Sequence, residues 1–198
     1  MIQLRNKLEQ EKGKKESLLS LYSDKNEELK NINRDIRYLE QAVPIAQIVA
    51  QQTQQELKYH ISELVTLALS AVFDDPYEFE IIFESKRGKT EARIVFLKNG
   101  EEIDPMTSSG GGAIVVAAFA LRVALWNLQR PRSRNTLVLD EALKFLSLDL
   151  HAKAGKMLRM LSEKLEIQII LVTHSEAISE FAHKSYEIYQ EGGISYAR

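Results

Sequence analysis

Apolar residues recur along the first part of the chain in alternating steps of four and three. Leu4, Leu8, Leu18, Tyr22, Leu29, Ile32, Ile36, Leu39 and Val43 fall on that spacing, with Glu11, Lys15 and Lys25 as its three polar members. The positions between them are rich in Lys, Glu, Asn and Gln. A repeat of 3.5 residues predicts the seam of a coiled coil. At about 1.5 Å per residue such a helix reaches roughly 60 Å, and its apolar stripe needs a partner strand. The other reading is a long amphipathic helix packed on its own domain. Pro44 is expected to interrupt or restart the helix, since proline suits a first turn and spoils an interior one. A second helical pattern follows through Ile45, Ile48, Leu57, Ile61, Leu64, Leu67, Ala68 and Ala71.

Beyond Asp74-Asp75-Pro76 the period changes from helical to alternating. Residues 77–83 (YEFEIIF) and 91–97 (EARIVFL) predict two strands of an antiparallel hairpin joined by a glycine-containing turn, and 98–105 reads as loop. An apolar helix over 113–129, a buried strand over 136–140, a helix over about 150–165 and a buried strand over 167–173 come next. A short helix (175–182) and two terminal strands, YEIYQ and ISYA, complete the pattern. Buried strands alternating with helices predict an α/β fold with a mainly parallel sheet flanked by helices. The expected division is residues 1–72, a coiled-coil arm and connecting helix, and residues 73–198, a globular lobe.

Composition narrows the setting more than the chemistry. The chain has 198 residues, 44% of them hydrophobic and 27% charged, with a net charge of -2, so any nucleic-acid contact must come from a local patch. The absence of cysteine excludes disulfides and thiolate metal sites and fits a reducing cytoplasm. The charged, amphipathic N-terminus lacks the apolar core of a signal peptide, and the apolar run 113–121 is too short to span a bilayer. A cytoplasmic protein without a membrane partner is expected.

Candidate chemistry gathers at strand and helix ends. The strand TLVLD ends in Asp140 followed by Glu141, two carboxylates at the edge where α/β sheets bind ligands. One suits Mg²⁺ and the other can polarise an attacking water, although a strand ending in acidic loop residues has the same sequence. The strand IILVT runs into His174 on the same rim, a position equally open to a structural histidine. Ser108, Ser109, Gly110, Gly111 and Gly112 precede the apolar helix. A Ser/Gly turn at a helix start exposes backbone N–H groups to an anion, and glycine lets the backbone approach a phosphate closely. A flexible linker or a plain helix cap is the alternative.

The order of these elements carries more than any one of them. A Ser-Gly-Gly turn with its helix, an apolar strand ending Asp-Glu, then SLDL, then an apolar strand ending in His, resembles the C-terminal half of an ABC-type ATPase head. With a coiled coil leading in, it is similar to the SMC group and its SbcC-type DNA-repair relatives. The resemblance covers the whole chain, and it implies the C-terminal half of a P-loop NTPase head: an α/β lobe with a β-hairpin and an N-terminal coiled-coil helix. It implies that SSGGG is the signature motif, with Ser109 and the glycines touching the γ-phosphate of ATP held by a facing head. It further implies that Asp140 is the Mg²⁺-associated Walker B aspartate, Glu141 the general base, Asp149 the D-loop residue and His174 the switch histidine. Arg122, in FALR, also fits the group. Gly112 stands where Gln, Glu or Lys is common, and Ala142 where proline is frequent; neither change removes a reacting group.

The phosphate-cradling loop is missing. A P-loop needs G-x-x-x-x-G-K-[ST] between a strand and a helix. Gly88-Lys89-Thr90 has the right ending, but Phe83 occupies the first glycine position and the setting is a hairpin. The resemblance places the P-loop in an N-terminal lobe, in cis or in trans, so the chain is expected to be a fragment or one piece of a split ATPase that binds ATP poorly alone. Implied partners are that lobe, a second head in a dimer, DNA and a nuclease subunit. Three arginines in QRPRSR (129–134) fit a phosphate contact or a solvated loop. The implied role is DNA repair or recombination, with ATP and Mg²⁺ as cofactors. The alternative is a non-hydrolysing module that docks on, or inhibits, another ATPase's N-terminal lobe.

Overall fold

The computed structural model describes residues 1–86, 89–131 and 133–198, and the side chain of Ser108 is outside that description. Gly88 of the Gly88-Lys89-Thr90 turn and Arg132 of the arginine-rich segment therefore lie outside the described residues. The chain forms two compact units, Met1–Thr53 and Gln54–Arg198.

Apart from Met1, the first unit lies within one helix, α1 (Ile2–Val72). Every seam residue from Leu4 to Val43 is exposed, among them Leu4 at 81% and Leu39 at 64%. Contrary to the interruption expected at Pro44, the helix continues through it. Proline removes the N–H that would bond the carbonyl four residues back, that of Glu40. The helix tolerates this because its flanks are exposed, which lets water take up the freed carbonyl. The short i,i+3 ion pairs on this helix, such as Lys14–Glu11 at 2.9 Å, are exposed and add little.

The second unit holds the core. The C-terminal stretch of α1 turns one face inward through Ile61, Leu64, Val65, Ala68, Leu69 and Val72, all buried. Full burial of each such side chain contributes roughly 1.5–3 kcal/mol. That burial explains why the second compact unit takes in the stretch of α1 from Gln54 to Val72. Strands β1 (Glu78–Lys86) and β2 (Lys89–Lys98) form an antiparallel pair with Phe79 opposite Phe96. Phe96 also stacks on Tyr77, with ring centroids 5.2 Å apart. The backbone N–H of Phe79 donates to Thr66 Oγ1 at 2.9 Å, tying the hairpin to α1. Since Thr90 lies within β2 and no helix follows, the segment lacks the strand-to-helix setting of a P-loop.

The segment expected as loop contains two short elements. Strand β3 (Glu101–Ile103) adds to β2, and α2 (Pro105–Ser108) starts at Pro105 with Asp104 as its side-chain cap. Helix α3 (Gly111–Leu128) is long and apolar enough to cross a membrane by length and composition. Part of that apolarity is used in packing: Val116, Ala120 and Val123 are among seven of its residues buried in the shared core. Strand β4 (Thr136–Asp140), helix α4 (His151–Leu165) and strand β5 (Gln168–Val172) form a βαβ unit whose strands pair in parallel, with Asp140 opposite Val172. Helix α5 (Glu176–Ser179) follows, and β6 (Ile188–Glu191) pairs with β7 (Ile194–Ala197) as a terminal hairpin.

Candidate functional site

The β4–β5 pair explains why the candidate residues gather. Leu137, Leu139, Ile169 and Leu171 turn to the core, and alternation sends Val138, Asp140, Ile170 and Val172 to the other face. Asp140, the last residue of β4, is exposed. The chain then bends sharply: Glu141 takes the left-handed backbone (φ 48°) while its N–H donates to the Val172 carbonyl at 3.0 Å. A non-glycine residue in that region costs on the order of 1–3 kcal/mol and persists only where its surroundings enforce it.

This bend brings Glu141 to His174, two residues beyond β5. Glu141 Oε1 lies 3.5 Å from His174 Nε2. That separation meets an ion-pair distance but exceeds an ordinary hydrogen bond, and Oε1 is enclosed without a hydrogen-bond partner among the described residues. The ring of His174 is 96% exposed. A buried acceptor of this kind costs about 1–3 kcal/mol until something donates to it. A cavity of about 220 Å³ opens here, lined among others by Glu141, His151, Thr173 and His174.

The segment around His174 is locked locally. Ser175 N–H donates to Thr173 Oγ1 at 3.1 Å, and Ser175 Oγ caps α5 by accepting from the Ile178 N–H. On the β4 side, turns close from Glu141 to Lys144 and from Leu143 to Leu146. A single 3₁₀ turn, Leu148–Leu150, then carries Asp149, which is exposed.

The glycine turn stands at the start of α3. Gly110 is the helix cap with extended backbone and no side-chain cap bond, while Gly110 and Gly111 are exposed. Neither takes the left-handed backbone, and a Cβ on either would meet open space. The chain's own folding therefore does not require glycine at these two positions. Gly112 differs: its Cβ would touch Leu146 Cδ1 at 3.4 Å and Phe73 Cζ at 3.6 Å, so the turn packs against the loop that follows Glu141. Ser109 is half-buried and its hydroxyl donates to the Pro105 carbonyl at 2.6 Å. Arg122, on α3, is exposed.

Asp140, Glu141 and His174 thus share one sheet rim, and the glycine turn adjoins the same loop through Gly112. Sequence reasoning passed over His151, the one buried polar residue among the described residues, although it stands two residues after Asp149. No group of three or more His, Cys, Asp or Glu that could hold a metal exists among the described residues. Asp140, exposed at the end of β4, can supply one carboxylate ligand to Mg²⁺, whose other positions water and phosphate oxygens would fill.

No family model matches the chain. It is 28% identical over 114 residues to the DNA double-strand break repair Rad50 ATPase of Archaeoglobus fulgidus, a match spanning 58% of this chain and 13% of that protein's length. Among solved structures, it superposes with a TM-score of 0.58 and 16% identity on the Smc head domain with a coiled coil and joint from Pyrococcus yayanosii, covering 82% of this chain and 30% of that one. The Smc head domain with an extended coiled coil from Pyrococcus furiosus, bound to the C-terminal domain of ScpA, gives 0.57 and 16%, with coverages of 82% and 39%. A chain from structural work on ATP-driven dimerization and DNA-stimulated activation of SMC ATPases gives 0.57 and 16%, covering 75% of this chain and 87% of that one. The chain therefore has the fold of part of an SMC/Rad50-type ATPase head, with a coiled-coil helix leading into it.

Proposed function

We propose that this chain supplies the C-terminal half of an SMC/SbcC-like ATPase that hydrolyses ATP at a dimer of heads, in DNA repair or recombination. The observation that carries the reading is the outer face of the β4–β5 pair. Parallel strands are ordinarily covered on both faces, yet Val138 is 68% exposed, Ile170 47% and Val172 55%. An apolar parallel face that ends in Asp140, Glu141 and His174 suits a second lobe that completes the sheet and brings a P-loop to the same rim. The exposed seam of α1 supports a coiled-coil partner in the same way.

In this reading Asp140 would hold Mg²⁺, which would neutralise phosphate charge. Glu141 Oε1 accepts the proton of the attacking water, which relieves its missing hydrogen bond. His174 Nε2, presented to solvent beside it, contacts the γ-phosphate. Gly110 and Gly111 offer bare backbone N–H groups to the nucleotide of a facing head, with Ser109 beside them and Asp149 at the head–head contact. The relatives support a partner head, since SMC ATPases of this fold undergo ATP-driven dimerization. DNA and a nuclease subunit are further proposed partners, and the setting is the cytoplasm.

The test mixes this chain with a P-loop-bearing N-terminal lobe and measures phosphate release. The mixture is expected to hydrolyse ATP, the chain alone to bind ATP too weakly for calorimetry, and Glu141→Gln to lower turnover at least ~100-fold with nucleotide retained. Tight ATP binding by the chain alone would contradict the reading. A mixture that binds nucleotide without turnover, unaltered by Glu141→Gln, would favour the non-hydrolysing docking module.

A further inference from the structure

His151 is the one buried side chain in this lobe with two ring nitrogens to satisfy, and both are engaged. Nε2 lies 3.1 Å from the Leu146 carbonyl, and Nδ1 lies 2.8 Å from Ser175 Oγ. A carbonyl oxygen only accepts, so Nε2 carries the hydrogen and donates to it. In the neutral ring Nδ1 is then the acceptor, and the Ser175 hydroxyl donates to it. The same Ser175 oxygen accepts from the Ile178 N–H at 3.4 Å and so caps α5. Thus one ring joins the loop leaving Glu141, through the Leu146 backbone, to the residue adjoining His174.

Two packing contacts reinforce this link. Leu146 is 4% exposed, and a Cβ added at Gly112 would lie 3.4 Å from its Cδ1, which sets the glycine turn beside the same loop. One turn along α4 from His151, Gly155 sits so close to Phe181 (2.7 Å from an added Cβ) and the Ile178 backbone that no side chain fits. His151 and Gly155 share a helix face four residues apart. That face therefore holds the His174–Ile178 segment by a hydrogen bond at one end and by close packing at the other.

The geometry points to His151 as a positioning residue: it fixes the separation of Glu141 and His174 by bonding the loops that carry them, and it links both to the glycine turn through Leu146. This rests on the proposed reading of Glu141 and His174 as the reacting pair. Gly155 needs no hydrogen bond to explain it, but His151 does: an apolar residue of similar size would fill the space without joining the two loops.

The test uses the full chain with ¹⁵N-labelled histidines, of which there are four. Long-range ¹H–¹⁵N spectra are expected to show His151 with a bare Nδ1 and a protonated Nε2. His151→Gln keeps a donor toward Leu146, and Ser175→Ala removes the other bond together with the side-chain cap of α5. Each is expected to shift the His174 ring signals, and the double variant to shift them no further. Ser175→Ala reads the link even where His151→Gln folds poorly. In the mixture with the P-loop lobe, both variants should lower kcat about tenfold while KM for ATP stays within about twofold. A His151 ring protonated on Nδ1 with Nε2 bare, His174 signals unmoved by either variant, or additive losses in the double variant would each overturn the inference. A wild-type mixture that releases no phosphate would remove the proposed function instead, leaving the ring signals to decide this one.

Discussion

At the scale of single residues, glycines that look alike do different work. A Cβ at Gly112 would come into contact with Leu146 and Phe73, whereas one at Gly110 or Gly111 would meet open space on ordinary backbone. Gly111→Ala is therefore expected to leave the chain's stability unchanged or raise it by ~0.5 kcal/mol, because alanine lowers the entropy of the unfolded chain. The same substitution should strongly reduce phosphate release in the mixture with a P-loop lobe, since its methyl group obstructs a partner's nucleotide. Thermal unfolding and the turnover assay read the two effects separately, and equal activity would remove the glycine turn from the site. At Glu141, backbone strain coincides with an acceptor, Oε1, that has no hydrogen-bond partner among the described residues. A residue held so unfavourably fits a task outside folding.

At the scale of elements, α4 organises the lobe. Gly155→Ala drives a methyl group against Phe181 and the Ile178 backbone, and is expected to cost ~1–3 kcal/mol, seen as a lower melting temperature. At its far end α4 is tied to α1 by the Lys164–Glu63 pair at 2.8 Å. The hydrogen bond from Lys164, with its charge, holds Glu63 below its ordinary value of 4.5. A carboxylate depressed in the folded state stabilises above its unfolded value, and that contribution is lost as pH falls through the folded one. Glu63→Gln should thus flatten the decline in melting temperature below pH 4.5. The effect is small, since both side chains are more than 40% exposed. An unchanged acid limb would show that the pair contributes nothing. Further from the core, α1 carries Pro44 within an exposed helix, which shows how far a strong run of helix formers overrides one proline.

At the scale of the whole molecule, the outer β4–β5 face leaves Val138, Ile170 and Val172 exposed, as the seam of α1 leaves Leu4 and Leu39. Val138→Glu is expected to change the chain's own stability by less than ~1 kcal/mol, because the position is exposed. It should abolish co-purification with a P-loop lobe, since a charge would then be buried without a partner. Retained association would place the second lobe elsewhere.

Element types were legible from periodicity. The seam through residues 4–43, the alternating hairpin and the two apolar strands each follow from spacing, because backbone geometry fixes which residues share a face. Asp140, Glu141 and His174 were legible as strand ends, since a parallel sheet collects the carboxyl ends of its strands on one rim. Local sequence could not show that α1 passes through Pro44, that Gly112 packs while Gly110 and Gly111 do not, or that His151 joins two loops. Those outcomes depend on which side chains meet across long separations, such as His151 with Ser175. The periods of a chain are local and repeat, whereas a contact between distant residues exists only after the core has set their positions. Only the tertiary structure decided them.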